Sequence, residues 1–180
     1  MLVWSVSQRL LHWVLAGSVI GSFLTHERAG DWHFWLGYLA LACAVLRVIA
    51  GLIAGQFWRF SNCVRDPKAT LNYVRLLFAR TEPRYIGHNP LGAWMILLLL
   101  ATTIIASVSG WISITDKYWG VAWVGNIHEI SGHAFIPLIV MHFMGGMYSS
   151  WRHRENLIWA MIAGKKNVTG SSDSQGISKK

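Results

Sequence analysis

The chain has 180 residues, of which 53% are hydrophobic and only 13% charged, where a soluble domain carries roughly 25% charged residues. That composition excludes an ordinary water-soluble globule, and eleven Trp with 17 Gly agree, because Trp gathers at membrane interfaces and Gly lets membrane helices approach. The formal net charge of +8 points to nucleic acid only if it forms a basic face on a soluble module.

The first apolar stretch, Leu2 to Thr25, is interrupted by Arg9. No small-residue cleavage site follows it, so it is expected to stay as an anchor rather than leave as a signal peptide. The second runs from His33 to about Ala54 and contains Arg47. Both are long enough to cross, since about 20 residues of helix span roughly 30 Å of hydrocarbon.

Between the second and third stretches, Asp66-Pro67 reads as an N-cap followed by Pro in the first helical turn. Leu71, Val74, Leu77 and Phe78 then share one face, which predicts an interfacial helix. Pro90 to Thr115 and Ile130 to Trp151 contain no Asp, Glu, Lys or Arg and are the third and fourth spans. Glu155 to Gly164 gathers Leu157, Ile158, Met161 and Ile162 into a second interfacial segment. From Asn167 the Ser, Gly and Lys content reads as a disordered tail. The expected architecture is an all-α membrane protein: a four-transmembrane-helix bundle over residues 1–166 with interfacial helices in the middle loop and after the fourth span, then a tail over 167–180.

The charges orient this bundle. Arg28 alone lies in the loop from Thr25 to Asp31, and Lys117 alone in the loop from Asp116 to Asn126, so fourteen of the sixteen Lys and Arg fall elsewhere. By the positive-inside rule both termini and the middle loop are cytoplasmic. The basicity is therefore topological, and nucleic acid is set aside. Cys43 and Cys63 form no disulfide framework or zinc pattern, and the absence of Cys-x-x-Cys-His excludes covalent c-type haem.

Histidines inside spans are expensive and mark function or a packing hydrogen bond. His128 and His142 are fourteen positions apart, which on a helix leaves them about 40° apart on one face and roughly 21 Å apart along the axis. One metal ion cannot bridge that distance, so each needs a partner from another helix. Haem suits both, because its iron takes axial His and its apolar ring fits a bundle. Depth selects the partners: His12 lies level with His142 toward the cytoplasm, and His33 opens the second span level with His128. His26 competes with His33, because His12 and His26 repeat the fourteen-residue spacing, although His26 sits beside Glu27 and Arg28 at a loop end. Four positions after the candidate ligands come Ala16, Gly37, Gly132 and Gly146, small enough to admit a flat macrocycle. His133 is read as a packing residue and His153, between Arg152 and Arg154, as interfacial.

Residues 4 to 166 resemble the di-haem b-type membrane cytochromes that include bacterial cytochrome b561 and the cytochrome b subunit of nickel-iron hydrogenases. The resemblance rests on Arg9-Leu-Leu-His12-Trp13, His33-x-x-x-Gly37 with Arg47, Tyr85-Ile-Gly-His-Asn-Pro-Leu-Gly92, His128-Glu129 with His142, and Arg154-Glu-Asn-Leu. It implies axial ligands on the first, second and fourth spans, favouring His33 over His26, and a bacterial inner-membrane location.

Arg9, one turn before His12, and Arg47, fourteen residues after His33, are candidates to meet haem propionates, with snorkelling to headgroups as the plain alternative. Asn89-Pro90 is explained by helix capping, and His88 beside it is a candidate to protonate a quinone. Two His on each of two b-type haems leave no open iron position, so the expected activity is electron transfer alone. The resemblance implies a periplasmic c-type cytochrome or hydrogenase subunit on one side and the quinone pool on the other. The alternative is a stand-alone quinone-reducing oxidase of a small reductant such as superoxide, for which an anionic substrate would need periplasmic cations, and only Arg28 and Lys117 are there.

Overall fold

The computed structural model describes residues 4–26, 31–53, 60, 66–83, 89–152 and 156–164. Within them the chain forms six helices and no strand: α1 (Val6–Thr25), α2 (Asp31–Ile53), α3 (Pro67–Phe78), α4 (Pro90–Ser113), α5 (Ala122–Arg152) and α6 (Leu157–Ala163). Arg28, Cys63, His88, His153, Arg154 and the tail over 167–180 lie outside the described residues.

Helix α1 starts on a capping box. The Ser5 hydroxyl accepts the Gln8 N–H at 3.3 Å, and the Gln8 side chain accepts the Ser5 N–H at 2.9 Å. Such a cap is worth about 1 kcal/mol. Among the described residues three helices, α2, α4 and α5, are long and apolar enough to cross a membrane. With its 20 residues α1 reaches roughly 30 Å, but Gln8, Arg9 and His12 crowd polar groups into its first turns and keep it from that set.

The helices pack in the order α1 on α2, α2 on α4, and α4 on α5. Small residues fill these seams: Ser18, Ala40, Ala44, Ala93, Ala106, Ser109 and Ser131 are all buried. Lipid tails are as apolar as Leu, so close backbone approach rather than burial of bulk holds such helices together. Large side chains point outward accordingly, with Leu24, Ile53 and Ile130 all exposed. Buried hydroxyls satisfy themselves on their own helix. Thr103 donates to the Leu99 carbonyl at 2.8 Å and Ser131 to that of Ile127 at 2.6 Å, which removes the cost of an unpaired polar group in hydrocarbon.

Helix α5 corrects the fourth expected span. It begins at Ala122, more than two turns before Ile130, because Glu129 closes the charge-free window without breaking the helix. Its 31 residues make a rod of about 46 Å, longer than the hydrocarbon core. Pro137 lies inside it and has no N–H for the carbonyl one turn back. Across from α5, α1 leaves an apolar gap between Val19, Ile20, Phe23 and Leu24 on one side and Phe135, Ile136 and Ile139 on the other.

Both amphipathic segments are helical, and Glu155, at the start of the second, lies outside the described residues. Asp66 caps α3 through the Lys68 N–H at 3.2 Å, and Trp94 of α4 donates to the Thr70 hydroxyl at 3.2 Å. Asn156 caps α6 through the Trp159 N–H at 2.8 Å. At its other end α6 turns at Gly164, φ +76°, a left-handed position where glycine carries no steric penalty. A Cβ there would lie 2.9 Å from the Trp4 carbonyl oxygen. The α6 carbonyls left without helical partners are taken by α1: Trp13 Nε1 donates to Met161 at 3.3 Å and Arg9 Nη1 to Ile162. Arg152, at the end of α5, donates through Nε to the buried Glu82 at 3.1 Å.

Candidate functional site

Both expected histidine pairs come together. The His12 ring of α1 lies 6.3 Å from the His142 ring of α5, centroid to centroid, at an interplanar angle of 47°. The His33 ring of α2 lies 5.9 Å from the His128 ring of α5, at 89°. His26 caps the end of α1 instead, its Nδ1 donating to the Phe23 carbonyl at 2.6 Å. His133 turns back on its own helix, donating to the Glu129 carbonyl at 2.9 Å.

The pairs fit the two faces of a haem. A ligating imidazole nitrogen sits about 2 Å from its metal and roughly 1.1 Å from its ring centre, so two axial rings on one iron have centroids roughly 6.2 Å apart. Both observed separations are close to that figure. The donor set agrees: among the described residues no three His, Cys, Asp or Glu side chains converge as a bare metal ion requires, whereas haem brings four ring nitrogens of its own and asks the protein for two. Room is present too, since a Cβ added at Gly37, Gly132 or Gly146 would meet nothing within 4 Å.

Hydrogen bonds select the ligating nitrogen in one pair. His33 Nδ1 donates to the Ser22 carbonyl at 2.9 Å, and His128 Nδ1 donates to the Ala106 carbonyl at 2.8 Å. With the proton held on Nδ1, the Nε2 lone pair of each ring is free for a metal, the usual arrangement behind a ligating His. Sequence spacing revealed neither acceptor, because both are backbone atoms of other helices.

The two arginines have partners that the sequence did not suggest. Arg9 reaches the Ile162 carbonyl of α6, while its Nε is buried and makes no hydrogen bond. A guanidinium has five N–H donors, so Arg9 keeps its charge a turn from His12 while its Nε packs against Gly164. The Arg47 guanidinium lies over the Phe60 ring, 4.8 Å from its centroid, and Gly51 makes space for that ring, which a Cβ there would penetrate. Lys117 lies over the Tyr118 ring at 5.2 Å.

No curated protein and no solved structure matches the chain. The family description for prokaryotic cytochrome b561 matches residues 3–164, a stretch that contains both histidine pairs and all six helices. The chain therefore belongs to the prokaryotic cytochrome b561 family, membrane proteins of electron transfer built around b-type haem.

Proposed function

We propose that this chain is a transmembrane electron conduit holding two non-covalent b-type haems, one between His12 and His142 and one between His33 and His128. The observation that carries the reading is the presence of two His pairs, each at the ring spacing of a bis-histidine haem. Because His128 and His142 are separated by about 21 Å along α5, the two sites lie toward opposite faces of the membrane. In this reading α1 is the fourth crossing, its polar first turns serving the His12 site, and both termini face the cytoplasm of the bacterial inner membrane.

When bound, the haems supply single-electron chemistry between ferric and ferrous iron. The chain supplies the rest. The four imidazoles of His12, His33, His128 and His142 would hold the two haems and would leave no iron position for oxygen or another small ligand. The Ser22 and Ala106 carbonyls hold the Nδ1 protons of His33 and His128. Arg9 and Arg47 offer their charge to propionates on the cytoplasmic side. The physiological partners of this reading are the quinone pool and a periplasmic c-type cytochrome or hydrogenase subunit.

The test is anaerobic addition of quinol to the purified protein. Excess ubiquinol or menaquinol should reduce the haem, and carbon monoxide should then leave the reduced spectrum unchanged, because no iron has an open position. Haem that stays oxidised under quinol, or a spectrum that shifts with carbon monoxide, contradicts the reading.

A further inference from the structure

Helix α4 contains no histidine, yet its backbone packs directly against one. The Ala106 carbonyl accepts His128 Nδ1–H at 2.8 Å. One turn later, a Cβ at Gly110 would lie 2.7 Å from His128 Cε1 and 2.8 Å from Nδ1. The ring is thus seated on bare backbone, in a space that any side chain larger than hydrogen would close. The Ala106 carbonyl is also shared. Ser109 is buried and donates to the Ile105 carbonyl at 2.7 Å, with Ala106 as its second acceptor at 3.1 Å.

We propose that Ala106 and Gly110 of α4 form a socket for the His128 ring, and that these positioning residues set the potential of the His33/His128 haem without touching its iron. The proposal rests on the reading of His33 and His128 as one haem's ligands. Its physical basis is the dependence of imidazole donor strength on the opposite ring nitrogen. A firm Nδ1–H bond to a carbonyl makes Nε2 more basic, which favours ferric iron and lowers the potential. The carbonyl lone pairs are limited, so a competing hydroxyl weakens that bond. The socket also fixes the ring plane, which stands at 89° to His33, against 47° in the other pair. Perpendicular axial rings give a more anisotropic ferric low-spin signal than tilted ones, so electron paramagnetic resonance distinguishes the two haems.

The experiment compares wild type, Gly110→Ala and Ser109→Ala as purified holoproteins, by redox titration and by electron paramagnetic resonance of the oxidised form. In Gly110→Ala the added methyl pushes the ring from the Ala106 carbonyl. The more anisotropic signal should change and the potential of that haem rise, or that haem should be lost, with the His12/His142 haem unmoved. Ser109→Ala removes the competing donor and should lower the same potential while keeping both haems. If Gly110→Ala does not accumulate, Ser109→Ala decides alone. Wild-type signals and potentials in both variants, or equal changes at both haems, overturn the socket. His128→Ala separates this failure from failure of the underlying reading, because retention of both haems there would reject His128 as a ligand whatever Gly110 does.

Discussion

His33→Ala should purify with one haem per chain where the wild type carries two, and the remaining haem should keep its wild-type spectrum and potential. The lost ligand belongs to the site whose other ring, His128, stands 5.9 Å away, while the His12/His142 pair is built on α1 and α5 alone. His26→Ala should keep both haems, since His26 ends α1 with its Nδ1 on the Phe23 carbonyl. Pyridine haemochrome analysis of the two variants decides between them. Haem lost from His26→Ala and retained in His33→Ala would assign all four ligands to α1 and α5.

Transmembrane electron transfer should fall by orders of magnitude in every single variant of His12, His33, His128 and His142, even though each keeps one haem. Electron tunnelling weakens steeply with distance, and loss of either site leaves one centre to cover a path that two centres divide at about 21 Å. Proteoliposomes with quinol inside and an impermeant oxidant outside measure this directly. A one-haem variant that transfers electrons at the wild-type rate would show that the two sites do not act in series.

The histidine pairs were legible in the sequence because helical geometry makes strict demands. A spacing of fourteen puts His128 and His142 on one face, and depth points to His12 and to His33 or His26 as partners, with the loop-end position of His26 and the family resemblance favouring His33. The start of α5 was not legible, because Glu129 ends the apolar window while the helix continues through it. The sequence points Arg9 toward propionates or headgroups, but its Nη1 partner is a carbonyl 153 residues away, and no local pattern reports such a contact. Ala106 and Gly110 were hidden for a related reason. Small residues four apart are common wherever membrane helices pack, so only the position of the His128 ring distinguishes this pair from a packing seam.

The proposed function requires two b-type haems on the chain, each between two histidines. Haem content per chain, measured as the pyridine haemochrome before and after acid-acetone extraction, tests it most directly. Two haems per chain, all extractable because no Cys-x-x-Cys-His anchors them, is the predicted result; no haem, a single haem, or haem that remains with the polypeptide would contradict it.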